Sequence, residues 1–209
     1  MSGGYQDYGW NDRSVQSTGY IYPVLRHMLR YDKSKRILDM GCGNGEIANL
    51  LIADGFDVMG VDASHTGVEI ANRKNPGRFF VHDVSQDKLP AELGDKPFDI
   101  VVSTEVIEHL YAPRAYMRLV QKTLEAKRGD VILSTPYHGY LKNVAMALAN
   151  KMDHHYTALW DGGHIKFWSR QTLTTLLEEF DFKVTDFRGA GRLPYLWKSM
   201  IVRARLQVR

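Results

Sequence analysis

The stretch Ile37-Leu38-Asp39-Met40-Gly41-Cys42-Gly43-Asn44-Gly45-Glu46 constrains the fold more than any other part of the chain. A short apolar strand runs into Asp-x-Gly-x-Gly-x-Gly. Three glycines at alternate positions let the backbone turn sharply and leave room for a ligand to lie against it. A helix follows at once, with Ile47, Leu50 and Leu51 as its apolar stripe and Gly55 as its stop. A second apolar strand, Asp57-Val58-Met59-Gly60-Val61, ends in Asp62. That carboxylate lies 21 residues beyond Gly41, about where a nucleotide-binding βαβ unit places the acid that grips ribose hydroxyls. The spacing differs from the dinucleotide fingerprint G-x-G-x-x-G, and Asp39 stands where it would repel a pyrophosphate. A carboxylate there can instead accept from an ammonium group, directly or through water. A ribose-bearing ligand with an amino-acid end fits this loop better than NAD does.

The rest of the chain alternates strands and helices. Strands are expected at about 36–40, 57–62, Arg78 to Asp83, Phe98 to Thr104, Val131 to Thr135, Phe182 to Phe187 and Met200 to Leu206. A helix from Tyr22 to Leu29 leads into the first strand. Ser64 can cap a helix carrying Val68 and Ala71. Pro113 opens another, whose inner face is Tyr116, Leu119, Val120, Thr123 and Leu124. Lys127, Arg128 and Gly129 close it, with cations and a glycine where a helix end favours them. Ser169 caps the helix of Leu173, Leu176, Leu177 and Phe180. Such alternation implies a parallel, doubly wound α/β sheet with helices on both faces. Ligands in open sheets of this kind bind beyond the carboxyl ends of the strands, where Asp39 to Gly45, Asp62, Asp83 and Thr104 to His109 all fall.

The glycine loop and its following acid resemble the S-adenosylmethionine site of class I methyltransferases, and the resemblance extends over roughly residues 35 to 206. It implies a Rossmann-like sheet of seven strands, the last inserted antiparallel between the fifth and the sixth. It also implies cofactor roles. Asp39, Gly41, Gly43 and Gly45 would shape the methionine and ribose pocket, and Asp62 would accept from the ribose hydroxyls. Asp83 and Val84 match the position where the family meets the adenine ring. For Asp83 the plainer alternative is a strand-end turn aspartate. Thr104 would end close to the sulfonium. The family's arginine upstream of the first strand has no clear counterpart, Tyr20 being nearest. Tyr5, Tyr8, Trp10 and Tyr20 are candidates to close over the cofactor.

After the fourth strand comes Glu105-Val106-Ile107-Glu108-His109, and later Trp160-Asp161-Gly162-Gly163-His164. Ubiquinone-biosynthesis O-methyltransferases carry a similar Glu-x-x-Glu-His followed by a later histidine. Small-RNA 3′-terminal 2′-O-methyltransferases use that pattern to hold a divalent cation. By that resemblance Glu105, Glu108, His109 and His164 are candidate ligands for Mg²⁺, Mn²⁺ or Zn²⁺, a suitable set of oxygen and nitrogen donors. The alternatives are an acid–histidine pair lining the acceptor pocket, with Glu108, His109 or His164 catalytic, and a purely structural cluster. Ser134-Thr135-Pro136-Tyr137 follows the fifth strand, not the fourth. It therefore does not supply the amide that nucleobase amino methyltransferases place after strand four.

Residues 137–168 form an insertion long enough to cover an acceptor pocket. Leu141, Val144, Ala145, Leu148, Ala149 and Met152 recur at helical spacing opposite Lys142, Asn143, Asn150 and Lys151. Three readings stand: a lid helix packed on the domain, an interfacial helix touching a membrane or lipid-like acceptor, and a dimer contact. His154-His155-Tyr156 and Trp160 add aromatic surface suited to a planar or apolar acceptor.

A length of 209 residues suits one domain over 1–209, with residues 1–19 polar enough to include a mobile segment. A net charge of +3 does not call for nucleic acid. One cysteine, no signal pattern and no membrane-length apolar run lead to a cytoplasmic expectation. The leading expectation is methyl transfer from S-adenosylmethionine to a hydroxyl of a small molecule. The alternatives are RNA 2′-O-methylation, which needs a basic track that Lys166, Arg170, Arg188 and Arg192 are too scattered to make, and a non-catalytic S-adenosylmethionine-binding regulator.

Overall fold

A computed structural model describes residues 9–156, 158–160 and 162–207. Tyr5 and Tyr8, two of the aromatic residues considered for cofactor closure, lie outside that range. Seven strands form one sheet: β1 (Arg36–Met40), β2 (Asp57–Asp62), β3 (Phe79–Val81), β4 (Ile100–Thr104), β5 (Asp130–Pro136), β6 (Phe182–Ala190) and β7 (Ser199–Leu206). Their order is β3-β2-β1-β4-β5-β7-β6. All neighbours are parallel except β7, which runs antiparallel between β5 and β6. This is the expected topology, including the position of the last strand.

The helices are α1 (Thr18–Met28), α2 (Glu46–Ala53), α3 (His65–Lys74), α4 (Pro113–Leu124), α5 (Tyr140–Leu148), α6 (Met152–Tyr156) and α7 (Arg170–Glu179). The central strands β1, β4 and β5 are buried nearly end to end, as continuous apolar runs covered on both faces must be. Alternate residues feed two cores. Leu38, Met40, Val101, Val131 and Leu133 pack with Tyr116, Met117 and Val120 of α4 and Leu173 and Leu177 of α7. Ile37, Ile100, Val102 and Ile132 pack with Ile21 and Leu25 of α1, Leu51 of α2 and Val68 and Ala71 of α3. Ser64 caps α3 by accepting from the Gly67 amide at 2.9 Å, and Ser169 caps α7 in a capping box with Thr172.

The structure corrects several boundaries. α1 starts four residues before Tyr22, which places Pro23 inside it. β3 keeps only the middle of the expected strand, and β6 runs on to Ala190 to pair with β7. Leu50 turns outward, and Ala48 and Asn49 take the inner face of α2 beside Leu51.

The insertion departs furthest from expectation. Its helical pattern breaks at Asn150, which has φ 51°, into the short helices α5 and α6. The faces of α5 are the reverse of a packed lid: Leu148 is 84% exposed and Leu141 54%, whereas Lys142 is only 5% exposed. The Lys142 ammonium donates to the carbonyls of Tyr137 at 2.7 Å and Lys198 at 3.3 Å. Two carbonyls at the strand tips outweigh the pull of the apolar stripe. Among the described residues, no helix is long and apolar enough to cross a membrane.

Candidate active site

A cavity of about 1050 Å³ opens at the carboxyl ends of β1, β2 and β4. Its floor is the glycine loop. Gly41, Gly43 and Gly45 have φ of 82°, 53° and 71°, so the alternate glycines meet a backbone requirement. Gly41 and Gly43 line the cavity. Gly45 stands behind it as the left-handed N-cap of α2, against Ala71.

Asp39, at the tip of β1, is buried, and its Oδ1 has no hydrogen-bond partner among the described residues. Burial, and secondarily Asp62, pushes its carboxyl up to about 7. A buried carboxyl with an unused oxygen on a cavity wall suits the ammonium of an amino acid. Asp62 accepts from the Gly43 amide and from the Ser64 amide, each at 2.8 Å. It thereby ties β2 to the loop while still lining the cavity. Val84 is a buried wall residue. Asp83 lines the cavity and accepts from the Ser85 amide at 2.8 Å, the bond of a strand-end turn aspartate. Thr104 lines the cavity at the end of β4.

One cavity residue has no forerunner in the sequence analysis, and another, Trp10, was named there as a candidate to close over the cofactor. Arg13 lines the cavity, a cationic side chain upstream of β1 where Tyr20 had been the nearest candidate. The peptide around it carries no periodic signal. Trp10 lies over the loop so closely that a Cβ at Gly43 would come within 2.5 Å of its ring.

At the other end of the cavity, a one-turn 3₁₀ helix at Ile107–His109 follows β4. The Glu108 carbonyl accepts from the amides of Ile165 at 2.9 Å and Lys166 at 3.0 Å, which brings the distant His164 beside His109. The two imidazole rings lie 4.8 Å apart. Ligand-type atoms of Glu108, His109 and His164 all fall within 4.8 Å of one another. His109 Nδ1 donates to the Gly162 carbonyl at 2.9 Å, which makes Nε2 its lone-pair nitrogen in the neutral ring. Burial lowers the His109 pKa and takes that of His164 down to about 4. Both rings are therefore neutral near pH 7. Glu108 is 0% exposed; its carboxylate oxygens make no close hydrogen bond among the described residues, with His109 Nε2 3.9 Å from Oε1 and the Thr135 hydroxyl easing its charge weakly. Burial first, and Glu105 second, holds its pKa well above the usual range.

Glu105 stands apart from that trio. Its carboxylate accepts from Ser134 Oγ at 2.8 Å and Ser199 Oγ at 3.1 Å, which ties the tips of β5 and β7 to the end of β4. It adopts φ 55°, a left-handed conformation that costs a residue with a Cβ. The structure thus brings three of the four candidate metal ligands together and places the fourth in a serine clasp. Around the trio are Trp160, edge-on to both His109 and His164, and the cavity residues Leu110 and Ile165. His138, His155, Tyr156 and Phe167 form a neighbouring ring cluster.

Residues 18–186 match the methyltransferase domain family. The chain is 30% identical over 172 residues to the ubiquinone biosynthesis O-methyltransferase of a Ruegeria species, covering 79% of this chain and 67% of that protein. Among solved structures, a Pyrococcus horikoshii protein superposes with a TM-score of 0.71 at 18% identity, over 98% of this chain and 100% of that one. Magnesium protoporphyrin IX methyltransferase from Synechocystis, solved with bound SAH, gives a TM-score of 0.64 at 16% identity, over 95% and 90% of the two chains. The chain belongs to the methyltransferase domain family and is a class I S-adenosylmethionine-dependent methyltransferase.

Proposed function

We propose that this methyltransferase acts on a hydroxyl oxygen of a small molecule held between the cofactor and the Glu108–His109–His164 cluster. S-Adenosylmethionine supplies an activated methyl group on a positive sulfur, so the protein's task is chiefly to align an acceptor lone pair with it. Asp39, Asp62, Asp83, Val84 and Thr104 are the residues proposed to hold the cofactor, the unused Asp39 oxygen facing its ammonium end. The observation that carries the acceptor reading is the buried Glu108 carboxylate, held by no close hydrogen bond, beside two neutral imidazoles. A hydroxyl acceptor must give up a proton, and this end of the cavity holds the groups that can ease that loss. The likeness to the ubiquinone biosynthesis O-methyltransferase supports the same choice.

The cluster fits a divalent cation. Two neutral imidazoles and a carboxylate held by no close hydrogen bond form a donor set that an isolated buried acid would not justify. Glu108, His109 and His164 would hold it, and when bound it would lower the pKa of a coordinated hydroxyl. One geometric observation favours a metal-free alternative. The Nδ1 bond to Gly162 orients His109 so that Nε2 can accept a hydroxyl proton directly, with His109 as general base.

The outward apolar face of α5 supports a further part of this reading, contact with a lipid surface or a lipid-like acceptor. Sedimentation with anionic vesicles that is lost in Leu141→Ser plus Leu148→Ser tests it; equal recovery of both proteins would remove it.

The function is tested by incubating the protein with S-adenosylmethionine and a panel of phenols, catechols and sugars, followed by mass spectrometry. A product one methylene heavier, methylated on oxygen, supports the assignment. Methylation confined to nitrogen or to RNA would replace it.

A further inference from the structure

Glu46 is the first residue of α2, immediately after the glycine loop. An acid in the first turn of a helix is unremarkable by itself, since the helix dipole favours one there. This carboxylate, however, collects three donors from a remote part of the chain. Ser14 Oγ donates to Oε1, the Val15 amide donates to Oε2 at 2.6 Å, and Thr18 Oγ1 donates to Oε2 at 2.8 Å. Two residues earlier, Asn44 Nδ2 donates to the carbonyls of Asn11 at 3.1 Å and Arg13 at 3.4 Å. Five hydrogen bonds therefore pin residues 11–18 to the segment that joins the glycine loop to α2.

The consequence appears at Trp10. Its ring lies over the loop where a Cβ at Gly43 would approach it to 2.5 Å and a Cβ at Gly67 to 2.8 Å. Both positions therefore need glycine for room as Trp10 now sits. Trp10, Asn11, Arg13, Ser14 and Val15 line the same cavity as Asp39 and Asp62. One wall of the cofactor cavity is thus made by a peptide outside the sheet, held by a carboxylate beside the loop.

We infer that Glu46 is a cofactor-positioning residue: it keys residues 9–18 across the glycine loop, so that Trp10 completes the wall against which S-adenosylmethionine is held. This rests on the assignment of the cavity to that cofactor. Charge-assisted hydrogen bonds from one amide and two hydroxyls make the carboxylate the anchor of the peptide. Loss of the anchor leaves the sheet and the acids of the floor in place and loosens only the wall.

The test compares wild type with Glu46→Ala, Glu46→Gln and Thr18→Val. It measures S-adenosylmethionine affinity by calorimetry and amide hydrogen exchange of the unliganded protein by mass spectrometry. Glu46→Ala is expected to speed exchange in residues 9–18, leave β4 and β5 protected as in wild type, and raise the Kd about tenfold, the scale of one charge-assisted hydrogen bond. Glu46→Gln, whose amide oxygen can still accept from Val15, is expected to lose less. Should Glu46→Ala not fold, Glu46→Gln and Thr18→Val carry the comparison. Exchange in 9–18 and a Kd both within twofold of wild type in the folded variants would overturn the positioning role and leave the cofactor assignment standing. A wild-type protein that binds no S-adenosylmethionine would overturn both.

Discussion

The Gly43 amide donates to the Asp62 carboxylate at 2.8 Å, across 19 residues of sequence. The acid expected to grip the ribose is thus also the strut that holds the tip of β2 against the glycine loop. Replacing it removes the direct ligand contact and the support for the loop together. Asp62→Ala is expected to weaken S-adenosylmethionine binding by about 1–3 kcal/mol, the range for losing a charged hydrogen-bond partner. Calorimetry reads the change; an unaltered Kd would exclude Asp62 from the cofactor site.

Asp39, proposed to face the ammonium end of the cofactor, is expected to make cofactor binding depend on pH. Burial raises its pKa to about 7 from an ordinary value of 3.8. The folded protein therefore binds more protons than the unfolded chain between those values. The contribution of Asp39 to stability is fully present below about pH 4 and is lost as pH rises through 7. Ligand binding runs the other way, because an incoming ammonium needs the ionised carboxylate. S-Adenosylmethionine affinity is expected to rise with pH through 7, with proton release near pH 6. Calorimetry in buffers of different ionisation enthalpy detects that proton, and Asp39→Asn should abolish its release. Release undiminished in the variant would place the titrating group elsewhere.

Much of this was legible in the sequence, because the signals were local. The Asp-x-Gly-x-Gly-x-Gly loop, the apolar strands and the caps at Ser64 and Ser169 each depend on residues within one turn of each other. What was missed depends on long-range partners. The orientation of α5 follows from two carbonyls, one of them on Lys198, that receive the Lys142 ammonium. Helical spacing alone places that lysine outside. Arg13 reaches the cavity through Glu46 and Asn44, a pairing no periodicity announces, whereas Trp10 beside it was a named candidate whose anchor was not legible. The sequence pointed to Gly129 as the glycine ending the helix from Pro113, but α4 stops at Leu124 and a 3₁₀ turn, Glu125–Lys127, follows it. The left-handed residue is Arg128 with φ 48°, and Gly129 serves because a Cβ there would lie 2.2 Å from the Asp99 carbonyl. Glu105 and Glu108 looked equivalent as candidate ligands, and only the serines of β5 and β7 separate them.

The Glu108 cluster gives opposite expectations for stability and activity. A buried carboxylate that makes no close hydrogen bond destabilises the empty protein, and its raised pKa means that this cost grows as pH rises. Glu108→Gln is expected to raise the Tm of the metal-free protein at pH 8, by about 2–4 °C for each kcal/mol gained. The same change should impair methyl transfer, as should His164→Ala and exhaustive chelation, with Mn²⁺ or Mg²⁺ restoring the chelated wild type. Full activity after chelation would leave the His109 general-base reading, and a lower Tm for Glu108→Gln would show that its carboxylate has a stabilising partner.

Glu105 provides the contrast. Its carboxylate is spent on Ser134 and Ser199, and its left-handed backbone sets the turn from β4 to the helix of Glu108 and His109. Removing it takes the acceptor from two buried serine O–H donors, both residues 1% exposed, and keeps the strained φ. Glu105→Ala is therefore expected to cost about 2–3 kcal/mol of folding stability in urea titrations. Glu105→Gln can keep one serine bond and the shape of the turn. Because the proposed cation site lies on Glu108, His109 and His164, Glu105→Gln should bind Mn²⁺ within about threefold of wild type, whereas Glu108→Gln should lose about tenfold or more. Equal losses in the two variants would mean that Glu105 leaves its serines to join the cation, and the clasp would then be the resting position of a fourth ligand.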